Sequence, residues 1–357
     1  MRIAITTEIT DDPEPTGCQY YASHLINELL KRDDLDITLI GSDRFRRELF
    51  PDNAKSYIHK PFRIMNTAFF SSLINPPRWL NEFDIIHCPV PIAPFFFKPN
   101  AQVVMSIHDL IPNLFPQYNT VRRNIYFKYL LKHRLQRVDK LISVSDNTKQ
   151  DLIRLFNIPS ERIVTVYEGV DEQFQPTDKS KEDFILAVST LEPRKNLKEI
   201  INSYIRLKKQ SHISAKLLLV GRCGWYYHDI LKVPTEYRDD IKFLGYVPRD
   251  RLVELYQTAL FFVFPSFYEG FGLPVLEAMA CGCPVITSNQ SSLPEVGGQA
   301  CHYVDPYKPV EMDQAIHLLL TDETYRTDLA AKGLLQAQKF TWKKCAEETL
   351  AVYQSMC

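Results

Sequence analysis

A chain of 357 residues is roughly twice the size of one ordinary domain, which makes two domains the first expectation. Hydrophobic residues make up 45% and charged residues 24%, and 23 prolines and 12 glycines are too few for a collagen-like or low-complexity chain. The 42 Lys and Arg nearly balance the 43 Asp and Glu, and a net charge of −1 excludes a protein that coats nucleic acid through its charge.

The eight cysteines, at positions 18, 88, 223, 281, 283, 301, 345 and 357, contain no CxxC pair and are too sparse for a disulfide framework. Reduced thiols and a cytoplasmic location are the expectation. The N-terminus reads Met-Arg-Ile-Ala-Ile-Thr-Thr-Glu and turns acidic by Glu8, so no signal-peptide core is expected. No apolar run approaches the ~18 residues of a membrane span.

In chain order, β-branched and aromatic runs predict strands over Arg2–Thr7, Ile37–Gly41, Ile85–Cys88, Val103–Ile107, Leu141–Ser145 and Ile163–Glu168. Between them, apolar residues at i, i+3, i+4 spacing predict helices over Cys18–Lys31, Val121–Arg137 and Asn147–Phe156. Val170 to Asp183 is polar, contains a proline and has no period, as a linker would. The alternation then restarts. Strands are expected over Phe184–Ser189, Lys216–Gly221, Ile241–Gly245, Leu260–Pro265 and Pro284–Thr287, with helices over Asn196–Lys209, Arg249–Thr258 and Pro274–Ala280. Three more helices near 310–320, 323–338 and 342–355 close the chain. This pattern predicts an α/β protein of two Rossmann-like domains facing each other across a cleft. The boundaries are 1–170, a linker at 171–183, 184–340, and a C-terminal helix at 341–357 that packs back on the first domain. In such sheets ligands collect at the carboxyl ends of strands.

The segment Ser266-Phe267-Tyr268-Glu269-Gly270-Phe271-Gly272-Leu273-Pro274-Val275-Leu276-Glu277 runs from a buried strand through a glycine loop into a helix. Gly270 and Gly272 let the backbone approach a ligand, and the N–H groups opening the helix face an anion. Two carboxylates, Glu269 and Glu277, bracket this loop. Arg194 and Lys195 follow the strand Phe184–Ser189, where two adjacent cations can hold a diphosphate. His108 and Asp109 end the strand Val103–Ile107, and His87 occupies a similar place with less weight. Cys281-Gly-Cys283 with Cys301 and His302 lacks tetrahedral zinc spacing, so no metal is expected. Val121–Lys140 carries Arg122, Arg123, Lys128, Lys132, Arg134, Arg137 and Lys140 against Asp139 alone. The preferred reading is a helix with a solvated basic side; the other is a face attracted to anionic lipid. Phe62–Phe97 is unusually aromatic, as the lining of an acceptor site or a cap on the sheet would be.

Glu269 and Glu277, separated by seven residues around Gly-Phe-Gly, resemble the signature of the retaining GT-B glycosyltransferases, in particular glycosyltransferase family 4. Leu191-Glu192-Pro193-Arg194-Lys195-Asn196-Leu197, Leu219-Val220-Gly221, Phe243-Leu244-Gly245, Ser106-Ile107-His108-Asp109 and Glu168-Gly169-Val170-Asp171 resemble further elements of that family in the same order. The likeness is greatest to the bacterial mannosyltransferase branch of O-antigen and capsule synthesis. It implies a metal-independent hexosyltransferase with a sugar-nucleotide donor, GDP-mannose favoured over UDP- or dTDP-sugars, and a glycan or lipid-linked saccharide acceptor. It places Arg194 and Lys195 on the diphosphate, Glu277 on the ribose and Glu269 on the donor sugar. Gly270, Phe271, Gly272 and Leu273 become an anion cradle, His108 sits beneath the sugar, and Asp109 stands on the acceptor side. Gly17 stands alone in Thr16-Gly17-Cys18-Gln19, where the family has two or more glycines, a departure that also speaks against a dinucleotide GxGxxG. No nucleic acid partner is implied; a peripheral site at the inner face of the plasma membrane goes with the lipid-attracted reading of the basic helix. A sugar-nucleotide epimerase and a non-catalytic sugar-binding module are the alternatives that share the architecture.

Overall fold

The computed structural model describes residues 1–7, 17–41, 46–58, 78–91, 99–118, 127, 131–210 and 213–356. They form two compact units, Met1–Gly169 with Thr341–Cys357, and Val170–Phe340. Among the described residues no helix is long and apolar enough to cross a membrane.

The first unit is built on a seven-stranded parallel sheet in the order β3-β2-β1-β4-β5-β6-β7. Its strands are β1 Arg2–Thr6, β2 Asp36–Gly41, β3 Lys55–Ile58, β4 Ile85–Cys88, β5 Gln102–Ile107, β6 Lys140–Ser143 and β7 Ile163–Thr165. The inner strands β4 and β5 are apolar runs because helices cover both faces of a parallel sheet. Ile86, Val103, Met105, Ile107, Leu141 and Leu152 make one apolar cluster of this unit. Helix Gly17–Leu30 buries Tyr21, Ala22, Leu25, Ile26 and Leu29. Helix Asp146–Phe156 begins where Ser145 Oγ accepts from the Thr148 N–H at 3.0 Å and ends at Asn157 in the left-handed region. Helix Trp342–Gln354 is capped by Thr341 in the same manner and brings the end of the chain onto this unit.

The second unit holds a six-stranded parallel sheet in the order β10-β9-β8-β11-β12-β13. Its strands are β8 Phe184–Val188, β9 Lys216–Val220, β10 Ile241–Gly245, β11 Phe261–Phe264, β12 Val285–Ser288 and β13 Cys301–Val304. Helices Leu197–Gln210 and Pro309–Thr321 bury Ile200, Ile201, Tyr204, Met312, Ala315 and Ile316 in its core. The strand order reverses at β8/β11, as it does at β1/β4 in the first unit, and such switch points are where doubly wound sheets bind ligands. Gly221 closes the β9 end with φ +143°, and a Cβ there would stand 1.9 Å from the Ser189 carbonyl oxygen. Gly221→Ala is expected to cost on the order of 3 kcal/mol and to lower the melting temperature clearly. An unchanged melt would show that the chain after β8 can move aside.

The expected strands and helices differ from the observed ones in particular places. Strand β3 has no counterpart among the expected elements, because all four of its side chains are exposed and leave no apolar run to read. Strand β13 and the short helix Leu293–Gly297 of the second unit have none either. The strand expected over Ile163–Glu168 stops at Thr165, since Glu168 is turned to His108. Of the helix expected over Val121–Arg137, Leu131–Leu135 is helical; residues 121–126 and 128–130 lie outside the described residues, as do 62–77 and 92–97 of the aromatic stretch. The polar stretch Val170 to Asp183 carries no helix or named strand, yet it is fastened to the second unit. Phe174 is buried against Tyr256, Asp171 pairs with Arg249 at 3.1 Å, and the Glu182 N–H donates to the Thr258 carbonyl at 2.7 Å.

Candidate active site

Of the residues singled out in the second unit, Arg194, Lys195 and Glu269 meet after the carboxyl ends of β8 and β11. After β8 the chain makes a single turn, Pro193–Lys195, that ends at Asn196 in the left-handed region. This turn carries two cations inward. The Arg194 guanidinium is buried and bonds the Tyr268 carbonyl and the Glu192 carboxylate. Its Nη1 also lies 3.0 Å from Glu269 Oε1. Lys195 Nζ lies 2.6 Å from the same oxygen and 5.1 Å from the centre of the Phe264 ring. Burial and the neighbouring Arg194 lower the Lys195 pKa, with Glu269 working the other way.

Glu269 is the hub of this group. Burial works to raise its pKa, but Arg194, Lys195 and the Ser266 hydroxyl outweigh it and hold the carboxyl below the usual range. All three partners converge on Oε1, and among the described residues Oε2 takes no hydrogen bond. The carboxylate is therefore charged, rigid and left with one oxygen to accept from a ligand hydroxyl.

The loop after Glu269 is held from below by two serines that the sequence reading does not identify. Ser291 Oγ accepts from the Glu269 N–H at 2.9 Å. Ser292 Oγ reaches the Glu269 carbonyl at 3.0 Å and the Phe271 carbonyl at 2.6 Å. Gly270 and Phe271 are buried, and Gly272 takes φ +124°, a conformation that a side chain resists. Helix Leu273–Ala280 starts there with Leu273 first and Pro274 second, so the proline stands one position later than expected.

Glu277 stands one turn inside that helix. The Tyr256 hydroxyl donates to its Oε2 at 3.3 Å. Burial pushes its pKa up to about 7, with Asp171 adding to the rise and Arg249 and Tyr256 opposing it. Arg249 bonds Asp171 and covers the Phe174 ring at 4.7 Å. Tyr256, Arg249 and Asp171 thus form the electrostatic surroundings of Glu277, and no sequence motif pointed to Tyr256 or Arg249.

In the first unit, His108 follows β5 and is buried. Its Nε2 lies 2.8 Å from the Pro89 carbonyl, which can only accept, and its Nδ1 lies 3.0 Å from Glu168 Oε1. Burial opposes a charge on the ring, but Glu168, the Pro89 carbonyl and Asp109 outweigh it and raise the His108 pKa. Both ring nitrogens are engaged within this unit. Asp109 Oδ1 accepts from the Ile111 N–H at 3.0 Å, closing the turn that follows. His87 is a buried neutral histidine: burial and the nearby His108 take its pKa down to about 3. Gly17 is the exposed first residue of its helix, and residues 8–16 before it lie outside the described residues. Among the described residues no group of three His, Cys, Asp or Glu is placed to hold a metal ion.

Comparison with known proteins follows the same division. Residues 15–174 match glycosyltransferase family 4 and residues 170–335 match glycosyl transferases group 1. O-antigen chain mannosyltransferase B of Escherichia coli is 36% identical over 73% of this chain and 73% of its own length. The serotype-specific mannosyltransferase WbdA of Escherichia coli is 32% identical over 69% of this chain, which spans 32% of that larger protein. Two solved structures share the fold over 99% of this chain, each with a TM-score of 0.75. They are sucrose-phosphate synthase of Thermosynechococcus elongatus, 20% identical with 98% of its chain covered, and Anabaena HepE in complex with UDP and glucose, 16% identical with 100% covered. The chain belongs to the group 1, family 4 glycosyltransferases and has their GT-B fold of two parallel-sheet α/β domains.

Proposed function

We propose that this glycosyltransferase moves a mannosyl group from GDP-mannose to a glycan or lipid-linked saccharide in cell-surface polysaccharide synthesis. Retention of the anomeric configuration and independence from metal ions belong to the proposal. The observation that carries it is the pair of cations, the buried Arg194 and the mostly covered Lys195, sharing one oxygen of Glu269 at the β8/β11 switch point. Fixed positive charge at that place stabilises a nucleoside diphosphate as it leaves, a contribution of about 2–4 kcal/mol per group in comparable sites. The relative that acts on O-antigen chains supports the mannosyl donor and the glycan acceptor. The HepE complex supports a nucleoside diphosphate as the kind of ligand this fold accepts.

In this reading residues 184–340 bind the donor and residues 1–170 the acceptor. Glu269 Oε2 takes a hydroxyl of the donor sugar. Glu277 takes the ribose hydroxyls, and the backbone of Gly270, Phe271, Gly272 and Leu273 receives the phosphates with help from the helix dipole. Gly17 belongs to the donor side in this reading. His108 gives its Nε2 hydrogen to a sugar hydroxyl in exchange for the Pro89 carbonyl, while Glu168 favours the charged form of the ring. Asp109 lies beside it on the acceptor side. The bond from the anomeric carbon to the diphosphate oxygen breaks, the bond to the acceptor oxygen forms on the same face, and the leaving phosphate takes the acceptor proton.

The test is a panel of sugar nucleotides scored by protection of the protein against heating, with and without a chelator. GDP-mannose is expected to raise the melting temperature most, and equally in both conditions. Protection only by UDP-sugars would replace the donor, and protection lost with chelator would bring a metal into the site. The anomeric coupling constant of the product, measured by NMR, decides between retention and inversion.

A further inference from the structure

Four polar side chains inside the first unit form a continuous chain that the transfer chemistry above does not use. The Tyr353 hydroxyl, on helix Trp342–Gln354, lies 2.6 Å from His87 Nδ1. His87 Nε2 lies 2.9 Å from Ser106 Oγ, and Ser106 Oγ lies 2.8 Å from the Tyr21 hydroxyl. All four residues are fully buried. They join β4, β5, helix Gly17–Leu30 and helix Trp342–Gln354, which come from three distant parts of the sequence.

The direction of the chain follows from proton inventory. A neutral imidazole carries one hydrogen, so the two nitrogens of His87 must play opposite roles. Tyr353 has one hydroxyl hydrogen and no other acceptor among the described residues. It therefore donates to His87 Nδ1, and His87 Nε2–H donates to Ser106 Oγ. Burying four polar groups costs free energy that apolar residues of the same size would not, and what the bonds add is a single fixed arrangement. That arrangement ends at Tyr21, whose ring meets the His108 ring edge-on, with centroids 4.6 Å apart and planes at 84°. Trp342 packs on Tyr21 from the same helix that carries Tyr353, at 6.0 Å, and stacks on His24 at 5.0 Å.

We propose that Tyr21, Ser106, His87 and Tyr353 are positioning residues for the transfer reaction. The hydrogen-bonded chain anchors the Tyr21 ring, and the ring in turn holds the His108 imidazole where Glu168 and the Pro89 carbonyl align it. The C-terminal helix thereby sets the aim of a side chain that lies more than two hundred residues away in sequence. This inference rests on the reading that His108 works at the transferred sugar.

The experiment compares Tyr21→Phe, Tyr353→Phe and His108→Ala in the full chain. Each is assayed for transfer, for GDP-mannose binding by calorimetry, and for the His108 ring resonances by NMR. Tyr21→Phe and Tyr353→Phe are expected to lower kcat ten- to thirtyfold, roughly the cost of a slightly misaimed group. The donor Kd should stay within about twofold, since the nucleotide contacts proposed for Arg194, Lys195, Glu269 and Glu277 lie in the other unit, and the His108 resonances should move. A role in stability alone would lower the melting temperature and leave kcat and those resonances in place. Wild-type kcat with unmoved resonances in folded Tyr21→Phe overturns the proposal. Should Tyr353→Phe not fold, Tyr21→Phe keeps the ring and decides alone. Wild-type turnover in His108→Ala sinks the reading of His108 itself; an inactive His108→Ala beside fully active phenylalanine variants sinks only the positioning chain.

Discussion

Lys195→Ala is expected to lower kcat/KM about a hundredfold while the protein stays folded. The Lys195 side chain is mostly covered, and its ammonium stands 2.6 Å from Glu269 and rests over the Phe264 ring. A cation in so little water interacts strongly with a leaving diphosphate, and the site pays its reorganisation in advance of the reaction. Loss of about 3 kcal/mol corresponds to the hundredfold. Glu269 keeps Arg194 and Ser266 in the variant, so no charge is left buried alone and the melting temperature should shift little. Because negative charge on the phosphate grows toward the transition state, most of the effect belongs in kcat. Turnover within threefold of wild type would remove Lys195 from the diphosphate.

Glu277→Gln is expected to do two opposite things. Activity should fall by about two orders of magnitude, mainly through weaker donor binding, because an amide is a poorer acceptor for two ribose hydroxyls than a carboxylate. Stability at pH 8 should rise. The Glu277 carboxyl has its pKa pushed up to about 7 from 4.5, first by burial. Between those values the folded protein binds the extra proton, so stability declines as pH climbs from 4.5 to 7 and the full cost of the buried charge is present above 7. The amide of the variant is neutral throughout; removal of that cost is worth on the order of 2 kcal/mol after allowance for partial exposure, several degrees in melting temperature. Near pH 4, where Glu277 is protonated folded and unfolded, the two proteins should melt alike. In the wild type, donor affinity should increase as pH rises through about 7, since hydroxyl donors favour the carboxylate. Melting curves at pH 4 and pH 8 and donor titrations across this range check both signs. A variant less stable than wild type at pH 8 would show that Glu277 is held by its neighbours rather than strained by burial.

The alternation of strands and helices was legible because parallel strands buried on both faces are apolar runs, as Phe261–Phe264 and Ile85–Cys88 are. Edge strand β3 was not, since its exposed Lys55-Ser56-Tyr57-Ile58 has no buried face to mark it. Arg194, Lys195, Glu269 and Glu277 could be picked out because each sits just past a strand or inside a glycine loop motif. The meeting of Arg194 and Lys195 on a single oxygen of Glu269 could not be, because it joins positions 74 and 75 residues apart. Ser291 and Ser292, which hold the loop, look in sequence like ordinary turn residues. The same holds for His108: its position after β5 was visible, whereas its engagement by Glu168, 60 residues on, needed the folded chain.

The first unit is assembled from two separated pieces of sequence, Met1–Gly169 and Thr341–Cys357. During synthesis on the ribosome, its sheet must therefore wait for the whole second unit to be made before helix Trp342–Gln354 can cover Tyr21 and His87. The Val170–Phe340 unit has no such delay, being continuous. Until that helix emerges, the nascent first unit exposes apolar surface and a hydrogen-bond chain that lacks Tyr353, a state open to aggregation. The later-made unit can therefore finish first.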